Sequence, residues 1–290
     1  MEIVIPNELK IEYPFKSQFF DIDSKNKIHY LDEGQGEVIL MVHGNPTWSF
    51  FYRNLIKSMS LKYRIICPDH MGCGLSSRDE NYNYTLKNHI DNIDRLIEKL
   101  KIQNFSLIVH DWGGAIGMGL ATRYPERVKK IVAMNTAAFT SLEIPFRINI
   151  LRNSLGEQII RRFNAFAGPA TFMAVDHPLS PIVKKGFLLP YNNYKNRIAT
   201  AKFVRDIPLN KKHQTYSTLK MIEDNLNKIK SPVLLLWGEN DFCFTMNFYK
   251  RWLDFFPKAK HISYPQAGHY VIEDEFENIN KEINLFFEKT

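Results

Sequence analysis

Asp111, His269, Asp241, Asn45 and Trp112 have the residue types and sequence settings of a covalent-catalysis site. Asp111 sits where the apolar run Ser106-Leu-Ile-Val109 gives way to Asp111-Trp112-Gly113-Gly114. A buried strand that turns sharply into a helix with small residues at its start is the pattern of a nucleophile elbow, because bulky side chains would keep the helix off the sheet. An aspartate after a strand can also be only a helix N-cap; the tryptophan and paired glycines favour the nucleophile. A carboxylate nucleophile forms an ester, and the electrophile that suits it is a saturated carbon bearing a leaving group.

His269, in Pro265-Gln-Ala-Gly-His269-Tyr270, follows the last expected strand. Its ordinary pKa suits a general base near neutrality, here to activate water against the ester. Such a base needs a carboxylate to orient its ring. Asp241, in Trp237-Gly-Glu-Asn-Asp241-Phe242, lies just past the seventh expected strand, with Glu239 as competitor. Asn45, in His43-Gly44-Asn45-Pro46, follows the third strand, so its backbone N–H and that of Trp112 could form an oxyanion hole. The side-chain amide of Asn45 and the indole N–H of Trp112 are also donors able to hold a departing anion. His43 and His110 read as structural, and His70, in Pro68-Asp69-His70-Met71-Gly72, as a loop residue.

These groups need a particular scaffold. Ser17 to Asp23 and Lys27 to Asp32, split by Ser24-Lys25-Asn26, suggest an antiparallel hairpin at a sheet edge. Glu37 to Val42, Arg64 to Cys67, Ser106 to Val109, Val128 to Met134 and Pro232 to Trp237 are short, almost wholly apolar runs, as in parallel strands covered on both faces. Helical stretches such as Thr85 to Leu100 separate them, which predicts a doubly wound sheet. His261 to Tyr264 is the final expected strand and Glu275 to Lys289 the closing helix. The alternation stops between about Ala138 and Asn210, which reads as an inserted helical lid over the elbow. Within it, Ile144 to Phe163 is basic and amphipathic, suited to a pocket face, a lipid surface or a partner enzyme.

The motifs His43-Gly-Asn-Pro-Thr-Trp48, His110-Asp-Trp-Gly-Gly114, Gly238-Glu-Asn-Asp241 and Ala267-Gly-His269 together resemble the haloalkane dehalogenase family of α/β-hydrolases. The resemblance covers nearly the whole chain. It implies an α/β-hydrolase fold, a mostly parallel eight-stranded sheet flanked by helices, with a helical cap inserted after strand 6. The implied core is residues 1–137 and 211–290, and the cap residues 138–210. It further implies Asp111 as nucleophile, Asp241 as acid, His269 as base, and Asn45 with Trp112 as a halide clamp, with no metal or organic cofactor. One dehalogenase branch carries its acid as a glutamate after strand 6; this chain has Asn135 there, so Asp241 takes the role. The pattern looks like the third dehalogenase subfamily, which overlaps with the β-lactone decarboxylases of long-chain olefin biosynthesis. Asn135-Thr-Ala-Ala-Phe139, Asn164-Ala-Phe-Ala167, Pro190-Tyr191, Asn196-Arg197, Asp206-Ile-Pro208 and Asp241-Phe-Cys-Phe244 are similar to that second branch.

The expected main activity is therefore cleavage of a carbon–halogen bond, with decarboxylation of a β-lactone to a cis-alkene as the alternative. An epoxide hydrolase using Tyr191 and Tyr194 and a non-catalytic ligand-binding chain are less favoured. The expected partners are a small hydrophobic substrate, haloalkane or β-lactone, and a halide ion, with a homo-oligomer or multi-enzyme assembly left open. The chain has 44% hydrophobic and 24% charged residues, as in ordinary globular proteins. Its net charge of +7 is spread along the chain without a compact basic tract, which argues against nucleic acid as a partner. Cys67, Cys73 and Cys243 lack metal or disulfide spacing and read as reduced thiols of a cytoplasmic protein. The N-terminal stretch shows no signal-peptide pattern, and nothing approaches the ~18 uninterrupted apolar residues of an integral membrane span.

Overall fold

The computed structural model describes residues 3–288. Eight strands form one sheet: β1 (Gln18–Asp21), β2 (Lys27–Glu33), β3 (Val38–Val42), β4 (Arg64–Pro68), β5 (Phe105–Asp111), β6 (Val128–Thr136), β7 (Val233–Gly238) and β8 (Lys260–Tyr264). Their spatial order is β1-β2-β4-β3-β5-β6-β7-β8. The pairings of β2 with β1 and β4 are antiparallel, and every other pairing is parallel. The expected hairpin is the sheet edge, its turn closed by Asp23 Oδ1, which accepts the backbone N–H groups of Lys25 and Asn26, each at 2.8 Å.

The helices are α1 (Arg53–Met59), α2 (Leu86–Lys99), α3 (Trp112–Arg123), α4 (Phe146–Asn149), α5 (Ser154–Phe163), α6 (Ala167–Met173), α7 (Pro181–Leu188), α8 (Ile198–Arg205), α9 (Tyr216–Asn225), α10 (Met246–Phe255), α11 (Val271–Asp274) and α12 (Phe276–Glu288). α2 begins where Thr85 caps it, its side chain accepting the Asn88 N–H. The expected end of the closing helix, Lys289, lies outside the described residues.

Alternation along each strand splits the core into two layers. Leu40, Val42, Leu107, Val109, Ile131, Ala133 and Leu235 face one way and pack with α2, α3 and α9. Ile39, Met41, Ile108, Val132, Met134, Leu234 and Leu236 face the other way, toward α1 and α12. Burial on both faces explains why these strands read as continuous apolar runs. Between β6 and β7 the described residues form helices α4 to α9 and short 3₁₀ turns, with no strand. Ile148, Ile160, Ala201 and Val204, from α4, α5 and α8, make a small core of their own. The basic stretch from Ile144 to Phe163 is not one helix: α4 ends after one turn, and Asn153 caps α5 by accepting the Gly156 N–H at 2.9 Å.

Candidate active site

All the expected groups stand at the carboxyl ends of the strands, where an open α/β sheet leaves room for a ligand. Asp111 is the last residue of β5 and takes φ 51°, ψ −127°, a backbone conformation that costs a non-glycine residue energy. The packing around it holds that conformation. A Cβ at Gly44 would run into the Asp111 carboxylate, and one at Gly113 into the Val42 carbonyl, so the loop after β3 and the start of α3 can both close on the corner only as glycine. The Thr136 hydroxyl donates to the Asp111 carbonyl from the end of β6.

The Asp111 side chain does not make the N-cap bond that its position would allow. Its Oδ1 accepts the Asn45 backbone N–H at 2.6 Å, and the Trp112 N–H also acts on the carboxylate. The two expected oxyanion-hole donors thus already act on the carboxylate, with Asn45 held to Oδ1. Burial pushes the Asp111 carboxyl up to about 6; the His269 charge and the two backbone N–H groups pull the other way without cancelling it.

His269 follows β8, with its Nε2 3.6 Å from Asp111 Oδ2 and its Nδ1 2.7 Å from Asp241 Oδ2. All three residues are buried. Burial would lower the imidazole pKa, but the Asp241 carboxylate and its hydrogen bond outweigh this, with Asp111 adding to them, and hold His269 above its ordinary value. Glu239, the competing acid, instead accepts the Ser263 hydroxyl at 2.7 Å.

Asn135 holds Asp241 in place. Its Nδ2 donates to Asp241 Oδ2 at 2.9 Å and to the Gly238 carbonyl at 3.1 Å, while its Oδ1 accepts the Gly238 N–H at 2.8 Å. It adopts φ 35°, which asparagine tolerates better than most residues. His110 Nε2 donates to the His269 carbonyl at 2.8 Å, and burial lowers its pKa well below the ordinary value. His43 and His70 hold each other: the His70 N–H donates to His43 Nε2 at 3.0 Å, and His70 Nε2 to the His43 carbonyl at 2.8 Å.

The carboxylate opens on a cavity of about 440 Å³ lined by Phe139, Ile148, Phe166, Met173, Leu219 and other apolar groups, within the range that binds small hydrophobic molecules. Asn45 and Trp112 both line it. One N–H of the Asn45 amide is committed, since Nδ2 donates to the Thr200 carbonyl at 3.2 Å, and Asn45 Oδ1 is buried without a partner. Tyr191 and Tyr194 are not in the cavity lining: the Tyr191 hydroxyl donates to the Thr47 carbonyl at 3.2 Å, and the Tyr194 hydroxyl to Gln158 at 3.1 Å.

A family model described as the alpha/beta hydrolase fold matches residues 37–276. This chain belongs to the α/β-hydrolase family. The hydrolase is 42% identical over 286 residues to a cis-3-alkyl-4-alkyloxetan-2-one decarboxylase of Shewanella oneidensis, covering 96% of this chain and 90% of that one. A protein of the same name from Xanthomonas campestris is 38% identical, with 96% and 97% covered. Haloalkane dehalogenase 2 of Mycobacterium tuberculosis is 30% identical over 270 residues, covering 90% and 91%. Among solved structures, the haloalkane dehalogenase of Bradyrhizobium elkani superposes with a TM-score of 0.84 at 23% identity, covering 94% of this chain and 97% of that one, which shows the shared fold.

Two positioning elements of this α/β-hydrolase had no signal in the sequence. Asp274, in α11, accepts the Gly268 N–H at 2.8 Å and so fixes the turn that carries His269. The Tyr270 N–H donates to the Ala174 carbonyl at 2.6 Å, tying the same turn to the end of α6. The first is local and the second joins distant segments, and in neither do the residue types have a special pattern. Asp69 is a third such group, remote from the cavity. It accepts from Ser49 and Leu75 N–H groups at 2.7 and 2.8 Å and lies 2.7 Å from His29 Nδ1.

Proposed function

We propose that this hydrolase-fold enzyme decarboxylates cis-3,4-dialkyl oxetan-2-ones, four-membered β-lactones, to cis-alkenes. The observation that carries this is the identity of 42% and 38% to two oxetanone decarboxylases across 96% of the chain, against 30% to the dehalogenase. Expected first as a dehalogenase, the chain is thus better supported in its alternative role. Residues 138–210 are read as the cap that decides what reaches Asp111.

The chemistry follows from the site. Asp111 Oδ2, the oxygen not held by Asn45, attacks ring carbon C4 from the side opposite the ring oxygen. The C4–O bond breaks and its electron pair stays on the released carboxylate, leaving an alkyl ester on Asp111. The C3–carboxylate bond then breaks, its pair forms the C3=C4 double bond, carbon dioxide leaves, and the ester C4–O bond returns its pair to Asp111. Atoms and charge balance without water. Attack inverts C4 and the two groups depart anti, so alkyl chains cis on the ring end cis on the alkene.

In this sequence His269 acts as a cation. Asp241 holds it protonated, and the imidazolium offsets the charge that returns to Asp111 as the ester breaks. The Asn45 and Trp112 N–H groups offset the same charge from the other side. Asn135 is a positioning residue for Asp241.

The second reading, haloalkane dehalogenation, is favoured by Trp112, whose indole borders the cavity beside Asp111. There His269 must be neutral to activate water against the alkyl ester. Purified protein offered a long-chain cis-β-lactone and a panel of bromoalkanes, with alkene and bromide followed in parallel, separates the two. Alkene from the lactone at far greater efficiency than bromide release is the expected result; bromide release with no alkene would overturn the decarboxylase.

A further inference from the structure

We propose that the outer face of α4, α5 and α6 lies on an anionic lipid surface, from which a lipophilic substrate enters the cavity. Six of the thirteen large hydrophobic side chains exposed among the described residues fall between 142 and 172: Leu142, Phe146, Ile150, Leu155, Phe163 and Phe172. Phe146 and Phe163 are 79% and 75% exposed, and exposed apolar groups gathered in one segment mark an interaction surface where scattered ones do not.

The same segment borders the cavity. Ile144, Pro145, Ile148 and Leu151 line it from within, while Phe146 and Ile150 leave the same stretch outward. Arg147 lines the cavity as well and reaches 3.9 Å from Met173 of α6, the neighbour of exposed Phe172. Apolar side chains therefore flank the region where α4 approaches α6 over the cavity.

Charge names the partner. Arg147 stacks over Phe242 at 3.9 Å, Arg152 donates to Asn149 and the Ile207 carbonyl, and Arg162 is exposed. Among the described residues none of the three is in an ion pair, whereas Arg161 is paired with Glu80 and Glu157. The one exposed carboxylate in the segment, Glu143, is held by Asn247 at 3.3 Å. Aromatic and aliphatic groups beside unneutralised arginines match an interface of acyl chains under anionic headgroups. Among the described residues no helix is long and apolar enough to cross a membrane, so the contact is lateral. The argument from a lipophilic substrate rests on the decarboxylase reading; the surface itself does not.

Co-sedimentation tests this with vesicles of phosphatidylcholine alone and vesicles containing about one-third phosphatidylglycerol. The protein is expected to pellet with the anionic vesicles and to be released by high salt. Phe146→Ser/Phe163→Ser should weaken that partition at least about tenfold, and Arg162→Ala about fivefold. None of these side chains lines the cavity, so turnover of a short, water-soluble cis-β-lactone should be unchanged in both variants. Wild-type protein that stays in the supernatant with anionic vesicles, a double variant that pellets as well as wild type, or recruitment to a protein partner without vesicle binding would each overturn the proposal. Loss of lactone turnover in wild type would count against the decarboxylase alone, because sedimentation needs no turnover.

Discussion

Replacing His269 by Phe tests whether the imidazole serves as a cation or as a base. In the proposed reaction the charge that returns to Asp111 develops 3.6 Å from His269 Nε2. Two unit charges at that separation interact by about 4–5 kcal/mol at an effective dielectric constant of about 20. With roughly half a charge developed at the transition state, the loss is about 2 kcal/mol, or about 30-fold in the rate of alkene formation. The phenyl ring keeps most of the volume, and Asn135 still donates to Asp241, so the fold should survive with a lowered melting temperature. The assay is alkene released from a cis-β-lactone, with intact-protein mass spectrometry on the same samples. The variant should remain catalytic over many turnovers, because no water is needed to free Asp111. A stable adduct formed once per protein with no further alkene would show that hydrolysis, and therefore a base, is required, and would refute the reasoning.

Asp111→Asn should reduce alkene formation by more than about a thousandfold with the melting temperature within a few degrees of wild type, measured by product analysis and thermal melting, since the nucleophile is lost but the side-chain volume is kept. The pH profile should be a bell. Activity rises as Asp111 ionises near 6 and falls as His269 deprotonates above its ordinary value, whereas a hydrolytic rate limited by a neutral imidazole would rise through that second transition. Asn135→Ala should lower turnover about tenfold and move the alkaline limb, because Asp241 loses the donor that orients it; steady-state rates across pH test this. Asp69 is a stability prediction. Burial would raise its carboxyl, but His29, then His43, and the Leu75 N–H outweigh that and hold it at about 2. A depressed carboxyl stabilises the fold above its unfolded pKa and ceases to do so as pH falls through the folded value. Asp69→Asn should therefore cost about 2 kcal/mol at neutral pH and flatten the loss of stability between about pH 4 and 2 in denaturant titrations.

The sheet was legible because its strands are buried on both faces, which forces apolar runs that stand out from the helices between them. Strand ends were less so: β5 runs on to Asp111 and β6 to Thr136, beyond the apolar residues, because the register shift beside Asp111 lets polar side chains stay in the ladder at the site. The strand-to-helix corner was legible where backbone demands limit the choice, as at Asp111 with its flanking glycines. The convergence of Asp111, His269 and Asp241 follows from the sheet, since Asp111 ends β5 and the other two lie in the loops after β8 and β7 at the same edge. What could not be read were the contacts made by residues of ordinary type, whether close together in the chain or far apart. Asp274 and Ala174 hold the His269 turn, yet neither has a type or spacing that marks it. The break between α4 and α5 was hidden for a similar reason: Asn153 can sit in a helix or cap one, and the packing of α5 against α8 decides.

The central claim is that Asp111 is freed by elimination and not by water. Turnover of a cis-β-lactone in heavy-oxygen water, followed by mass analysis of the peptide containing Asp111, tests it most directly. Many turnovers to alkene with the Asp111 carboxylate still carrying only its original oxygen is the predicted result. Heavy oxygen in that carboxylate, with β-hydroxy acid among the products, would contradict it.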